Sequence, residues 1–121
     1  MQWRFLITAG LTLVLGMPNG VAIARAAGQF SGLASFYDKN FKGQTASGTP
    51  YDGSKFTAAH RTLPFGTRLS VTDPRTHRTV TVTVNDRGPF TKGRVLDLSY
   101  AAALALRMTD RGVVNVVASV D

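Results

Sequence analysis

The chain predicts a small all-β domain, a closed or nearly closed barrel of short strands carrying one short helix. Three observations predict it. Within residues 78–85 Thr and Val alternate without a break from Thr79 to Val84, four other short β-rich runs are punctuated by Gly and Pro, and one alanine-rich run follows a capping serine.

In chain order, residues 33–37 are the first strand candidate. Residues 38–56 form a polar, Gly-rich stretch, long enough in so small a domain to be functional or mobile. Residues 68–72 read as the strand that partners residues 78–85, with Asp73-Pro74-Arg75-Thr76-His77 as the turn between them. In the partner, Val80, Val82 and Val84 form an apolar face, and Thr79, Thr81 and Thr83 a polar one. Residues 95–98 and 113–120 are further strands. The helix is expected over residues 100–108, where strong helix formers follow Ser99 as N-cap and Gly112 lies just past the end.

Residues 1–26 have the three parts of a secretory signal. Arg4 is followed by an apolar run to about Met17, then by Pro18-Asn19-Gly20 and an Ala24-Arg25-Ala26 cleavage site. The run is shorter than the roughly 20 apolar residues of a membrane span. A second cut, after Ala22-Ile23-Ala24, is also open. Cleavage after Ala26 leaves residues 27–121 as one domain, without a Cys to staple it or carry a lipid. Arg4 and Arg25 leave with the signal, so 12 basic residues face 7 Asp, a net charge of +5. Export argues against nucleic acid as the partner, and an anionic polymer such as a cell wall suits the charge. Positive charge that merely keeps the domain soluble is the plainer alternative.

Three groups could carry chemistry. In Asn85-Asp86-Arg87-Gly88-Pro89-Phe90 a strong strand runs into a turn, and Asp86 has no other acid within ten residues on either side. Such a lone carboxyl can serve as a proton donor, or it can simply form the turn or pair with Arg87. His60, in Thr57-Ala58-Ala59-His60, can bind or relay a proton, or can be structural. Thr45, Ser47 and Thr49 lie in a hydroxyl-rich loop suited to sugars, or to bonding their own backbone. Two His and no Cys exclude a zinc-ligand pattern, and neither a Gly-x-Ser-x-Gly elbow nor a phosphate-cradling loop occurs. No cofactor and no metal are expected.

These groups stand in a fixed order. Gly32-Leu33-Ala34-Ser35-Phe36-Tyr37 and Thr45-Ala46-Ser47-Gly48 come first, then the run from Thr57-Ala58-Ala59-His60 to Phe65-Gly66-Thr67. Val84-Asn85-Asp86-Arg87-Gly88-Pro89-Phe90 and Arg94-Val95-Leu96-Asp97-Leu98-Ser99 follow. The set resembles the rare lipoprotein A (RlpA) family over residues 31–120. The resemblance implies a six-stranded double-psi β-barrel with one short helix, a fold shared with expansins and some endoglucanases.

It further implies an endolytic peptidoglycan lytic transglycosylase, active in the periplasm on glycan strands that lack stem peptides. Such an enzyme cuts between N-acetylmuramic acid and N-acetylglucosamine and leaves a 1,6-anhydro end. By position, Asp86 is then the acid/base and His60 an orienting or relay residue. Tyr37, Thr45, Ser47, Thr49 and Arg87 are expected to bind substrate, and Asp97 to be structural. If Asp86 is catalytic, Arg87 should point away from it, because an ion pair would spoil it as an acid. The family carries a Glu directly after Thr-Ala-Ser-Gly, where this chain has Thr49 and contains no Glu at all, Asp52 lying three residues on. A non-catalytic, expansin-like module that binds or loosens the wall is therefore the alternative. Without the family's lipidation Cys or its C-terminal sugar-binding repeat, a bare, unanchored, monomeric barrel is expected.

Overall fold

The computed structural model describes residues 28–121, and the signal expected over residues 1–26 lies outside the described residues. Among the described residues the elements run β1 (Gln29–Phe36), β2 (Thr57–Ala59), β3 (Arg68–Asp73), β4 (Arg78–Asp86), β5 (Arg94–Leu98), α1 (Tyr100–Ala105) and β6 (Val114–Val120). The strands close a barrel in the order β1-β5-β2-β4-β3-β6. β1 runs parallel to β5 and β2 parallel to β4, while the other four neighbouring pairs are antiparallel. This is a six-stranded double-psi β-barrel with one short helix.

The alternation along β4 sets its register. Val80, Val82 and Val84 are buried in the barrel, and the threonines between them are not. Across the β3–β4 pair, Leu69 faces Val82 and Val71 faces Val80, so both strands put their apolar faces inward together. Leu96 and Leu98 of β5, Val114 and Val116 of β6 and the small Ala34 and Ala58 complete the interior. Each such Val or Leu, once fully buried, contributes roughly 1.5–3 kcal/mol. The turn from β3 to β4 closes as its residues suggest. Asp73 Oδ1 accepts from Arg75 N at 2.9 Å, and His77 takes a left-handed φ of 64°.

Two register shifts shape the strands that lead to the site. The β1–β5 register shifts between Leu33 and Ala34, and the β2–β4 register shifts between Ala58 and Ala59. Gly32 stands just before the first shift, where an added Cβ would lie 2.6 Å from Val95 Cγ1. Only hydrogen fits there, because β1 and β5 cross too closely for a side chain.

α1 differs from its expected extent. Ser99 caps it, its hydroxyl accepting from Ala102 N at 3.2 Å, but the helix ends at Ala105 although helix formers continue to Met108. Arg107 adopts φ 54°, with Arg107 N donating to Leu104 O and Met108 N to Ala103 O. These two bonds satisfy the last carbonyls and fold Met108 back into the core, where it is fully buried. β2 was not among the expected strands. Of its three residues only Thr57 favours a strand, the two Ala do not, and its two neighbours hold it extended.

Candidate active site

Pairing brings the two carboxylates of this face to either side of one residue. Ala59 pairs with Asp86 of β4 on one side and with Asp97 of β5 on the other. Asp97 accepts a hydrogen bond from the Ser35 hydroxyl, whose residue lies opposite it on β1. Asp86 is half-buried and is held by three donors. Ala46 N and Arg87 N give to Oδ1 at 2.7 and 2.8 Å, and the Tyr37 hydroxyl gives to Oδ2 at 2.5 Å.

The long loop reaches Asp86 with its C-terminal end tied to the start of α1. Ser99 N donates to Thr57 O, Ala101 N to Gly53 O, and Tyr100 N to the Tyr51 hydroxyl, so the free N–H groups at the start of α1 hold the loop down. Its tip turns back on itself through the Gln44–Pro50 bridge, and Ser47 N donates to Asn85 O at 3.3 Å. Thr45 is buried in that tip. Its hydroxyl donates to Thr49 O and lies 2.8 Å from Ser47 Oγ and 3.2 Å from Thr49 Oγ1. The three expected hydroxyls are therefore one cluster, mutually bonded and next to the amide that holds Asp86.

Tyr37 leaves β1 with its ring stacked on Tyr51, centroids 4.5 Å apart and planes at 17°, while Phe41 leans against both rings. Burial, the bond to Asp86 and the charges of Asp86 and Asp97 all push the phenol far above its ordinary range. It therefore stays protonated and acts as a donor. Phe41 and Tyr51 were not singled out for this role, although two aromatics inside a Gly-rich loop were the available signal.

His60 meets Asp86 through the main chain, His60 N donating to Asp86 O at 3.1 Å. Its ring packs edge-on to Phe30, and Nδ1 accepts from Thr62 N and Leu63 N at 3.1 and 3.0 Å. Burial, then Arg61 and Arg87, lower the affinity of the imidazole for a second proton. A neutral ring with Nδ1 as acceptor carries its hydrogen on Nε2. Arg87 points away from its neighbour Asp86, as expected for a catalytic Asp86. Its guanidinium donates to His60 O and Leu63 O and lies 4.0 Å over the Phe65 ring. Arg61 ties the following loop by donating to Pro89 O and Arg94 O, and this loop presents Phe90 almost fully to solvent. Gly88 there has φ 121°, a conformation open to glycine.

Next to Asn85, which precedes Asp86 in β4, a groove of about 670 Å³ is lined by Thr49 and Tyr51, with Lys42 and Lys55 on its walls. No group of three or more metal-ligating side chains occurs among the described residues.

The class that the fold defines is a closed double-psi barrel, and Asp86 is its clamped carboxylate. The comparisons supply the family. A family model described as lytic transglycolase matches residues 29–118. The probable endolytic peptidoglycan transglycosylase RlpA of Nostoc sp. is 53% identical over 90 residues, which cover 72% of this chain and 24% of that protein. The endolytic peptidoglycan transglycosylase RlpA of Pasteurella multocida is 51% identical over 86 residues, 70% of this chain and 29% of that one. The chain belongs to the RlpA family and spans about a quarter to a third of the length of these relatives. Among solved structures, the Streptomyces papain inhibitor superposes with a TM-score of 0.63 at 30% identity, covering 76% of this chain and 93% of that one. An expansin of Clavibacter michiganensis shares the fold, with a TM-score of 0.61 at 24% identity over 77% of this chain and 50% of that one.

Proposed function

We propose that this domain is an exported, periplasmic lytic transglycosylase that cuts peptidoglycan strands internally between N-acetylmuramic acid and N-acetylglucosamine. Its substrate is strand without stem peptides, and its product carries a 1,6-anhydro end. The observation that carries this reading is the asymmetry of Asp86. Oδ1 takes two backbone N–H groups, which cannot become acceptors, whereas Oδ2 faces a hydroxyl that can turn and accept. Oδ2 is thus the oxygen able to hold and return a proton.

Oδ2 gives its proton to the glycosidic oxygen as the bond to the muramic anomeric carbon breaks. It then takes the proton of the muramic 6-hydroxyl as that oxygen bonds to the same carbon. Asp86 ends protonated as it began, and no water enters. Hydrolysis normally uses two carboxyl groups, one to activate water, and internal closure removes the need for the second. His60, neutral and with Nδ1 committed, has the orienting role, offering Nε2–H to a sugar oxygen. Ser47 and Thr49 offer hydroxyls from the loop tip, Thr45 holds that tip, and Arg87 acts on binding through residues 60–65, whose carbonyls it braces.

Thr49 favours the second reading, an expansin-like module that binds or loosens the wall without cutting it. One experiment separates the two. The purified protein is incubated with peptide-free glycan strands, and the products are weighed by mass spectrometry. Ends lighter by one water than hydrolytic ends, lost in Asp86→Asn, support the enzyme. Undiminished cleavage by Asp86→Asn sinks the assignment, and binding to intact wall with no new ends favours the module.

A further inference from the structure

The groove beside Asn85 contains two cations, neither of them in an ion pair among the described residues. Lys42 and Lys55 line it together with Thr49 and Asn85. Among the described residues the one ion pair joins Arg111 to Asp73, at a different place in the fold. Asp52 is the sole acid on the groove's lining, and its Oδ1 accepts from Ser54 N and Ser54 Oγ at 2.9 and 2.6 Å. Those two bonds, more than the nearby charge of Lys55, hold the Asp52 carboxyl below its ordinary range.

We propose that Lys42 and Lys55 form an anion subsite that takes the free lactyl carboxylate of a muramic residue. This rests on reading the groove as the glycan site. A volume of about 670 Å³ suits a short run of sugars. The sugars of a peptidoglycan strand carry neutral hydroxyl and acetamide groups, and the one ionisable group on them is the muramic lactyl carboxylate. A stem peptide converts that carboxylate into an amide and removes its charge from the sugar. Lysine suits the task, since a flexible stem carrying three donors can follow a carboxylate on a mobile side group. The subsite therefore prefers peptide-free strands, and prefers them to uncharged glucans, by charge. Because both lysines are open to solvent, the preference weakens as salt screens it.

The test measures binding rather than turnover. Peptide-free tetrasaccharide and the same sugar with each lactyl carboxyl converted to its primary amide are titrated into the full protein at low salt. The acid form should bind about tenfold more tightly, as two partly exposed charge contacts would give. Lys42→Gln/Lys55→Gln should bind both forms at the level of the amide, with an unchanged thermal midpoint. Lys42→Arg/Lys55→Arg should keep the preference. Equal affinity of the unaltered protein for both forms, no binding of the acid form, or a preference surviving in the double Gln variant each overturns the subsite. The same samples are assayed for anhydro ends. A carboxyl preference without such ends retains the subsite and removes the reaction. Anhydro ends without the preference do the reverse.

Discussion

The Tyr37 hydroxyl donates to Asp86 Oδ2 at 2.5 Å, joining two residues 49 positions apart through the one partner of that carboxylate able to reverse its hydrogen bond. The Tyr51 stack and the bond from Tyr37 N to Leu98 O hold the phenol in place. Tyr37→Phe keeps the stack and removes only the hydroxyl. Cleavage should fall about tenfold or more, in line with the roughly 1.5–3 kcal/mol of a hydrogen bond to a charged group. Affinity for the glycan should change little. Full activity in Tyr37→Phe would remove Tyr37 from the mechanism.

Thr49 is exposed at the loop tip, with long contacts of 3.2 Å to Thr45 Oγ1 and Ser47 Oγ. Thr49→Glu places a carboxylate there at little cost to the fold. If a second proton-exchanging group assists the reaction, formation of anhydro ends should rise at least about tenfold, the low end of general acid–base effects. A rate equal to that of the unaltered protein would mean that one carboxylate is enough.

His60 should make the domain less stable in mild acid. Its folded form favours the neutral ring, because burial and then Arg61 and Arg87 disfavour the charge. The stability it adds is complete above the unfolded value near pH 6.5 and is lost as pH falls from there through the lower folded value. Protonation at Nδ1 also removes the acceptor of Thr62 N and Leu63 N. His60→Asn, whose carbonyl can stand in for Nδ1, should be about 1–2 kcal/mol more stable than His60→Ala in urea unfolding at pH 7. Equal stability of the two variants would show that the ring acceptor does not hold the turn.

The Arg111–Asp73 pair, 2.7 Å long, is the structural ion pair of the barrel. Burial raises the Asp73 carboxyl, but the Arg111 hydrogen bond, the Arg75 amide and both guanidinium charges outweigh it and hold the group below its ordinary range. Its contribution is therefore present above about pH 3.9 and lost as pH falls below that through the folded value. Asp73→Asn should cost roughly 3 kcal/mol. This is the low end for a broken buried pair, because Arg111, with 29% of its side chain exposed, can still reach water. In a domain of this size that is a fall of about 12–24 °C in Tm, read by calorimetry. A fall below about 3 °C would mean that the pair is replaceable by a neutral hydrogen bond.

Local pattern alone carried the barrel class, the β3–β4 hairpin with its turn and the Ser99 cap, because a period of two and a capping serine are properties of neighbouring residues. The RlpA resemblance, read from five ordered motifs, carried the six-stranded count, and it also pointed to Asp86, His60 and the hydroxyl loop. Neither pattern nor motif order reached β2. Thr57-Ala58-Ala59 is extended only because Thr83 and Val84 of β4 lie on one side and Leu98 and Asp97 of β5 on the other. The helix end was equally hidden, since Arg107 turns left-handed to bury Met108 in a core assembled from six strands. Chain order brought Asp86 next to Arg87, and the tertiary structure turned Arg87 onto the carbonyls of His60 and Leu63. The same folding brought Tyr37 and Ala46 to Asp86 from loops far away in sequence. Residue types and their order are local information, whereas the donors that a carboxylate receives depend on which strands close the barrel around it.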